Sequence, residues 1–346
     1  MKAAYLVAKR VFEIRDIPTP RIEKDGDVLV KLQSSGVCGS DIHNYVEGRT
    51  GALEVNFPMI PGHECSAVVE KVGKGVTKVK PGDRVAIEPA VSCGKCEECL
   101  TGRHNLCRKV RFLSVPGELE GALKEYMVIP ETNVIPLPDD VTFEDAVVLE
   151  PLSICAYGVK LSNIRPGDSI AVLGSGPIGL LTLEVANTCG AAVSFATDIV
   201  KERVEMASRL GATYAFNPRE TDVVRQILDA THGRGVDLAF ECAGEQETVT
   251  EGLKVLRPGG TLVLLGIPGG KTEYVFNTDI LRRKELTAVY VRRQAHYIER
   301  ALHLVRAGRI DVRTLVTHRV PLDRTNDAYE LVATYRDGVV KAVINF

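Results

Sequence analysis

Four cysteines lie close together near residue 100, with two, two and seven residues between successive members: Cys93, Cys96, Cys99 and Cys107. This spacing lets one short loop surround a tetrahedral metal ion, as in structural zinc sites. Four sulfur ligands fill the coordination sphere and leave no position open for chemistry. We therefore predict a structural zinc lobe over residues 90–110. Two disulfides are the less favoured alternative, because the N-terminus does not resemble an export signal.

A second set of reactive side chains is spread over three segments, and it consists of Cys38, Ser40, Asp41, His43, His63, Glu64 and Glu150. Thiol, imidazole and carboxylate groups are all zinc ligands. Each residue also has an ordinary explanation, since a lone cysteine or histidine is usually a packed core residue. Glu150 precedes a proline and could simply belong to a turn. Taken singly, these residues leave both interpretations open.

A glycine-rich segment follows a short apolar run and precedes a helical pattern, with the sequence Gly174-Ser-Gly176-Pro177-Ile178-Gly179. This is the context that the G-x-G-x-x-G dinucleotide fingerprint requires. Its glycines let the backbone approach a pyrophosphate, whose charge lies against the helix N-terminus. A glycine turn without a ligand is the alternative.

Asp198 strengthens the dinucleotide interpretation, because it ends the next predicted strand, where an acid binds the adenosine ribose hydroxyls. A carboxylate there repels the 2′-phosphate of NADP, so NAD is the predicted cofactor. Arg203 nearby leaves a small allowance for use of both cofactors. Leu265 and Ile267, at and after a later strand, are also predicted cofactor contacts.

The elements that position these residues change character along the chain. Up to about residue 153, short β-rich runs alternate with Gly/Pro turns, which predicts a barrel-like β domain. From about residue 160, strands alternate with helices, which predicts a doubly wound parallel sheet of the Rossmann type. The tail is expected to return to the first domain. The predicted domains are therefore residues 1–153 with 288–346, and residues 154–287.

Composition excludes several classes of protein. The 346 residues suggest two domains, and 45% hydrophobic with 25% charged residues is typical of a globular protein. A net charge of -2 gives no reason to expect nucleic acid or a membrane surface as a partner. The longest uncharged run, residues 169–183, is shorter than the ~20 residues of a membrane span. We expect a cytoplasmic protein.

The motifs together resemble the zinc-dependent medium-chain dehydrogenase/reductase superfamily, and within it the sorbitol and xylitol dehydrogenases. The resemblance covers nearly the whole chain. It rests on Cys38-Gly-Ser-Asp-Ile-His43, Gly48-Arg49, Pro58-Met59, Gly62-His-Glu64, residues 80–89, the four-cysteine lobe, Glu150-Pro-Leu152, the Gly174 segment and Leu315-Val-Thr-His-Arg319. It implies a Rossmann domain and a discontinuous, GroES-like catalytic domain.

The resemblance also implies roles for the scattered residues. Cys38, His63 and Glu64 would ligate a catalytic zinc, with Glu150 as a fourth ligand or as the residue that holds a metal-bound water. Zinc acidifies a bound hydroxyl, so an alcohol can lose its proton near neutral pH and its hydride to nicotinamide. Ser40 would accept that proton and His43 would pass it to solvent. Asp41 would orient a histidine ligand.

The polyol-binding positions match the family less well. Sorbitol dehydrogenases usually carry Tyr directly after the motif's His, where this chain has Asn44 followed by Tyr45. Either Arg292 or Arg293 would contact substrate or cofactor. Sorbitol, xylitol and L-iditol all stay open as substrates, and L-threonine 3-dehydrogenase is the second interpretation. Relatives associate as tetramers or dimers through the edge near residues 270–285, so a homo-oligomer is expected.

Overall fold

The protein is described by a computed structural model that covers residues 1–270 and 272–346. The chain forms two compact units, each built from more than one segment. The first contains Met1–Glu150, Ile298–Arg306 and Val312–Phe346, and the second contains Pro151–Tyr297 and Ala307–Asp311. In the described residues, no helix has the length and apolar character that crossing a bilayer requires.

The strands, numbered in chain order, are β1 Lys2–Ala8, β2 Val11–Asp16, β3 Asp27–Gly36, β4 Arg49–Thr50, β5 Leu53–Glu54, β6 Glu64–Val72, β7 Arg84–Ile87, β8 Ala90–Val91, β9 Arg111–Phe112, β10 Tyr126–Pro130, β11 Val134–Pro136, β12 Ser169–Leu173, β13 Val193–Thr197, β14 Tyr214–Phe216, β15 Val236–Glu241, β16 Leu256–Leu264, β17 Thr287–Tyr290, β18 Val316–Pro321 and β19 Lys341–Asn345.

The helices are α1 Gly39–Glu47, α2 Glu97–Leu100, α3 Phe143–Val147, α4 Leu149–Leu161, α5 Pro177–Thr188, α6 Lys201–Arg209, α7 Val223–Ala230, α8 Gln246–Val255, α9 Thr278–Lys284, α10 Ile298–Arg306, α11 Val312–Leu315 and α12 Thr325–Ala333. The predicted helices over residues 177–189, 201–210 and 297–307 correspond to α5, α6 and α10.

The first unit is organised around a mostly antiparallel sheet with the order β11-β7-β6-β3-β19-β18, to which β10 adds by pairing with β3. Apolar side chains from β3, β6, β7 and β10 alternate inward and form one closed core; it includes Val30, Leu32, Ala67, Val85 and Ile129. Such alternation is what a sheet with one packed face requires. This is the β-rich architecture that the turn spacing predicted.

The register of this sheet brings distant segments of sequence together. Strand β3 pairs antiparallel with β6, so that Gly36 at the end of β3 lies opposite Glu64 at the start of β6. On the other side of β3, Gly36 lies opposite Val343 of β19. Segments near residues 36, 64 and 343 therefore meet at one end of three neighbouring strands, and Cys38 follows immediately after that end.

The second unit contains a six-stranded parallel sheet with the order β14-β13-β12-β15-β16-β17. Strand order reverses between β12 and β15, and α5 to α8 connect successive strands. In doubly wound sheets, ligands bind beyond the carboxyl ends of the strands at such a reversal. The buried core includes Phe195, Ile227, Ala239, Leu253 and Leu262. The predicted fold class, a Rossmann sheet with a separate β-rich domain, is confirmed by the family match and the solved structure described below.

The second unit extends beyond residue 287, which is the end of the nucleotide domain expected from the sequence. Strand β17 pairs in parallel with β16 from Thr287 to Tyr290, so the second unit continues past the expected end of the nucleotide domain. Residues 307–311 also belong to this unit. The sequence pattern missed β17 because its residues are mostly exposed, and a half-buried edge strand has no strong apolar signal.

Candidate metal centres and dinucleotide site

The four predicted lobe cysteines come together in the first unit. One ligand atom from each of Cys93, Cys96, Cys99 and Cys107 lies within 4.8 Å of all the others. The Cys93 backbone N–H donates to Cys107 Sγ at 3.3 Å, and the Lys109 N–H donates to the same sulfur at 3.4 Å. Donors aimed at sulfur favour thiolates, which are the form that binds zinc. The chemistry and geometry of the group therefore fit a closed zinc site.

The lobe has little apolar packing of its own. Helix α2 contains no buried residue, and Leu100 within it is 75% exposed. Backbone N–H groups of Lys95 and Cys96 donate to Cys93 and lower the pKa of its thiol. A loop of this kind needs a bound ion to offset the entropy of ordering it.

A second group of donors lies at the end of the β3–β6 pair. Ligand atoms of Cys38, His63 and Glu64 lie within 4.8 Å of one another. His63 is 5% exposed and Glu64 is 1% exposed, so both are buried. Three donors of sulfur, nitrogen and oxygen type fit a zinc ion that keeps a coordination position for another molecule. The residues that the sequence motifs singled out are thus brought together.

The His63 ring is oriented by a chain of two buried residues. Its Nδ1 lies 3.4 Å from Asp41 Oδ2, which leaves Nε2 as the nitrogen available for a metal. Ser114 Oγ donates to Asp41 Oδ1 at 2.6 Å. Burial alone would lower the pKa of His63, but the charges of Asp41 and Cys38 raise it well above its usual value. A carboxylate behind a ligating imidazole fixes its tautomer and orientation.

Ser114 is a residue that sequence reasoning missed. Its backbone adopts the left-handed region, with φ of 67°, although it is not glycine, and its side chain is buried. A non-glycine residue with positive φ is uncommon and is often found at functional sites. No local pattern in the sequence announces this conformation.

Lys341 is the second residue that sequence reasoning missed. Its Nζ forms an ion pair with Glu64 Oε2, and the two side chains are 2% and 1% exposed. Desolvation would lower the pKa of Lys341, but the negative charge of Glu64 raises it above its usual value. A lysine inside the apolar run 339–344 was the available signal, because lysines are almost never fully buried unless paired.

Glu150 lies near this group without joining it. Among the described residues, the donors that meet within 4.8 Å are Cys38, His63 and Glu64, and Glu150 lies outside that set. Glu150 is 7% exposed, and its charge contributes to raising the pKa values of Cys65 and Lys341. The position is compatible with an acid that acts on the ligands or on a bound water.

Ser40 and His43 lie on the first turns of α1, which begins immediately after Cys38. Ser40 Oγ donates to Cys38 Sγ at 3.4 Å, and Thr50 Oγ1 donates to the Ser40 carbonyl at 3.0 Å. His43 Nδ1 lies 3.3 Å from Glu47 Oε1, and its side chain is 26% exposed. The serine thus faces the donor group, and the histidine reaches solvent.

Asn44 and Tyr45 are neighbours in sequence but have different surroundings. Asn44 is buried and its Oδ1 accepts a hydrogen bond from Thr50 Oγ1 at 2.8 Å. Tyr45 packs in an aromatic cluster with Phe12 and Tyr329, and its hydroxyl donates to Glu330 Oε2 at 3.1 Å. Tyr45 is therefore a core residue and does not replace the tyrosine that sorbitol dehydrogenases carry one position earlier.

The glycine segment of the second unit forms a tight strand-to-helix turn. Gly174 follows β12 with φ of 95°, and a Cβ there would lie 2.9 Å from the Ala243 backbone nitrogen. A Cβ on Gly179 would lie 1.8 Å from the Gly174 carbonyl oxygen. A Cβ on Gly176 would meet nothing closer than 3.8 Å. The first and third glycines are therefore needed for packing, and the second faces open space.

This open position lies at the start of α5, where Gly176 is the N-cap and Pro177 and Ile178 form the first turn. The backbone N–H groups of a helix start carry partial positive charge and bind phosphate. The predicted pyrophosphate contacts are thus assembled at the carboxyl edge of the sheet.

Asp198 ties this turn to the end of β13. Its Oδ2 accepts from the Ser175 N–H at 2.8 Å, and its Oδ1 accepts from the Val200 N–H at 2.9 Å. Arg203 lies beside it, with Nη1 3.9 Å from Asp198 Oδ2. Each carboxylate oxygen has a further lone pair, so Asp198 still has capacity to accept from ribose hydroxyls.

The loops after β15 and β16 complete this edge. Leu265 is buried, whereas Ile267 is 50% exposed. Glu241 at the end of β15 accepts from the Ala243 and Gly244 N–H groups and from Thr248, at 2.9, 2.8 and 2.8 Å. Glu241 therefore organises a loop that the sequence did not mark as functional.

The two arginines after β17 differ in exposure. Arg292 is exposed, whereas Arg293 is half-buried and has φ of 53°. Gln294 beside them is buried and its Oε1 accepts from the Tyr297 N–H at 2.6 Å.

Comparison with known proteins identifies the family. A family model described as Alcohol dehydrogenase GroES-like domain matches residues 24–139, and one described as Zinc-binding dehydrogenase matches residues 177–307. Sorbitol dehydrogenase from Bacillus subtilis is 36% identical over 344 residues, covering 99% of this chain and 97% of that protein. D-xylulose reductase A from Aspergillus oryzae is 38% identical over 328 residues, covering 92% and 90%.

A solved structure shares the whole architecture. A zinc-binding dehydrogenase from Sinorhizobium meliloti, bound to NADP, superposes with a TM-score of 0.90 at 30% identity, covering 100% of this chain and 99% of that chain. The chain therefore belongs to the zinc-dependent medium-chain dehydrogenases, in the branch that contains sorbitol dehydrogenase and D-xylulose reductase. The family predicted from the sequence motifs is confirmed.

Proposed function

We propose that this protein is a zinc-dependent polyol dehydrogenase that oxidises a secondary hydroxyl to a ketone and transfers the hydride to NAD. The observation that carries the proposal is the buried group of Cys38, His63 and Glu64. It offers three different donor types at one end of the catalytic sheet, beside a serine that faces it. The similarity to sorbitol dehydrogenase and D-xylulose reductase supports a polyol as the substrate.

Cys38, His63 and Glu64 would hold the catalytic zinc, which supplies Lewis acidity that lowers the pKa of a hydroxyl. Asp41 and Ser114 keep the His63 ring turned so that Nε2 points into the donor group. Glu150 acts from outside the three-residue group, as a further ligand or as the acceptor for a bound water. The buried position of these groups excludes water and strengthens their electrostatic effect.

Ser40 and His43 are proposed to remove the hydroxyl proton. Ser40 Oγ lies next to the donor group, and His43 three residues later lies on the solvent side of α1. An imidazole that reaches solvent can accept a proton and pass it to water. Ser40→Ala should therefore reduce kcat while the zinc content of the protein stays the same. Activity assays and metal analysis of the purified variant measure the two.

NAD is the proposed cofactor, bound by Gly174, Gly176, Pro177, Ile178 and Gly179 with Asp198 on the adenosine ribose. Asp198 is buried and engaged by two backbone N–H groups, so a 2′-phosphate would meet a fixed negative charge. Arg203, Leu265 and Ile267 are further proposed contacts. Isothermal titration should give tighter binding of NADH than of NADPH, and the reverse order would remove the role assigned to Asp198.

The four-cysteine lobe is proposed to hold a second, structural zinc. Its four sulfurs leave no open position, and its short helix has no buried residue to stabilise it otherwise. One catalytic and one structural ion per chain are the expected content.

A homo-oligomer in the cytoplasm is also proposed. Strand β17 lies at the edge of the parallel sheet, Tyr290 within it is 60% exposed, and Val275 in the segment before α9 is 76% exposed. Exposed apolar edges are sites where chains pair. A tetramer or a dimer would satisfy this edge, and sedimentation analysis would distinguish either from a monomer.

A substrate screen tests the central proposal. The zinc-loaded protein is mixed with NAD and each of sorbitol, xylitol, L-iditol and L-threonine, and absorbance of the reduced nicotinamide is followed. Formation of NADH with the polyols is the expected result. Formation with L-threonine alone would move the assignment to the amino-alcohol branch, and no formation with any secondary alcohol would overturn it.

A further inference from the structure

The ion pair between Lys341 and Glu64 affects how tightly Cys38, His63 and Glu64 can hold a metal ion. This inference rests on the function proposed above. We propose that Lys341 is a positioning residue of this centre: its ammonium group competes with the metal ion for Glu64. By this competition Lys341 weakens metal binding and keeps the metal-free centre folded.

Lys341 is fixed in place by the sheet. Strand β19 pairs with β3 so that the Val37 N–H donates to the Ala342 carbonyl at 3.0 Å. Lys341 Nζ then reaches Glu64 Oε2 and also donates to the Val37 carbonyl at 3.3 Å. Because its position is set by backbone pairing, the ammonium group has little freedom to move away when a metal binds.

The space around the pair is closed. A Cβ on Gly36 would lie 2.2 Å from Glu64 Oε2 and 3.0 Å from Lys341 Cε. Lys341 and Glu64 are 2% and 1% exposed. Solvent therefore screens this interaction very little, and the charge of Lys341 acts strongly on anything that binds Glu64.

The charges of the site explain why a lysine is needed. Asp41, Glu64 and Glu150 are all buried carboxyl groups, and the ligand atoms of Cys38 and Glu64 lie within 4.8 Å of each other. Burying uncompensated charge is strongly unfavourable. In the metal-free protein, Lys341 is a permanent cation that offsets part of this negative charge. When a metal binds, the same ammonium group competes with it for the Glu64 carboxylate.

Replacing Lys341 should therefore change the stability of the metal-free and the metal-loaded protein by different amounts. If Lys341 served only to hold the fold, its removal would destabilise the metal-free and metal-loaded proteins equally. If it competes with the metal, its removal destabilises the metal-free protein more. By linkage, the folded variant then binds zinc more tightly than the unmodified protein does.

The experiment compares Lys341→Met with Lys341→Arg, which keeps the charge. Zinc affinity of the buried centre is measured by competition with a chromophoric chelator, and Cys38→Ala protein reports the zinc that belongs to the four-cysteine lobe. Lys341→Met should bind zinc at least tenfold more tightly than the unmodified protein, and its melting temperature should rise more when zinc is added. Lys341→Arg should stay within threefold. Unchanged or weaker binding by Lys341→Met would overturn the inference.

A double variant covers the case in which Lys341→Met fails to fold without metal. Glu64→Gln removes the partner charge, so Lys341→Met in that background should fold and should change zinc affinity less than twofold relative to Glu64→Gln alone. A tenfold tightening there would mean that Lys341 does not act through Glu64. The two proposals fail separately: a protein that binds zinc at the centre and oxidises polyols, yet shows no tightening, loses only the role of Lys341.

Discussion

The two groups of metal ligands in the first unit are built in opposite ways. The four cysteines lie within residues 93–107 on a lobe with little apolar packing, whereas Cys38, His63 and Glu64 are brought together by sheet register and are supported by buried residues behind them. On the proposed function, the first group would need its ion in order to fold, and the second would be folded by the sheet and would need its ion in order to react. The same metal would then serve stability in one place and catalysis in the other.

The largest expected effect follows from removing a ligand of the buried group. Cys38→Ala and His63→Ala should lower kcat/KM by at least about 10³-fold, since a metal's Lewis acidity contributes several kcal/mol. NADH affinity should be unchanged, because the glycine turn and Asp198 belong to the other unit. Activity assays and NADH titration check both. The exposed Cys189→Ala is the matched control, and appreciable turnover by zinc-free Cys38→Ala protein would contradict the assignment.

Removing a ligand of the four-cysteine lobe should lower stability and leave activity largely unchanged. Cys96→Ala should lower the melting temperature by on the order of 10 °C, because the loss of a structural zinc costs several kcal/mol. Protein that stays folded should keep most of its kcat. Calorimetry and metal analysis measure the two effects. An unchanged melting temperature after selective loss of the lobe zinc would remove the structural role.

The support behind His63 should show a smaller effect. Asp41→Asn keeps the shape of the side chain but removes the charge that faces His63 Nδ1, and it should weaken zinc binding at the buried group by about 10–100-fold. Ser114→Gly should act in the same direction and less strongly, since it removes the hydroxyl while relieving a positive φ. Chelator competition gives the affinities. If Ser114→Gly bound zinc as tightly as the unmodified protein, the hydroxyl would have no role.

A buried acid in the other unit, Glu184, contrasts with Glu64, which forms an ion pair with Lys341. Glu184 is 8% exposed, and in the part of the chain that the structure describes its Oε1 accepts from the Asp311 N–H at 2.8 Å while Oε2 has no partner. Burial raises the pKa of Glu184 from 4.5 to about 7. The folded protein thus holds this proton more tightly than the unfolded chain does.

The consequence is a loss of stability as pH rises from about 4.5 to 7, with no further change from this group above that range. Glu184→Gln keeps the acceptor and removes the charge, so it should add about 1–3 kcal/mol to the free energy of unfolding at pH 8. At pH 4.5 the variant should gain little. Denaturant unfolding at both pH values checks this, and an equal gain at both would exclude a charge effect.

What could be predicted from the sequence follows the same division. The four-cysteine group is local, so spacing alone predicts it. The strands and helices around the glycine turn have strong periodic patterns, and those predictions agree with β12, β13, α5 and α6. Cys38, His63 and Glu64 could be singled out by residue type, but only the resemblance to a family joined them in one site, because neither segment reveals the register that pairs β3 with β6.

The residues behind the ligands were beyond sequence reasoning for the same reason. Lys341 reaches Glu64 because β19 pairs with β3, across more than 270 positions of sequence. Ser114 reaches Asp41 from a loop held at positive φ. Contacts set by long-range strand pairing have no local signature in the sequence. A lysine within an apolar run, such as Lys341, indicates only that a buried partner must exist.

The most direct test of the account is metal analysis joined to turnover on the same sample. Polyol oxidation by the unmodified protein should be lost when chelation empties the buried group, and it should return in proportion to the zinc that is added back, while Cys38→Ala protein retains the zinc of the lobe and shows no activity. Full polyol oxidation by protein that holds no divalent metal at Cys38, His63 and Glu64 would contradict the account.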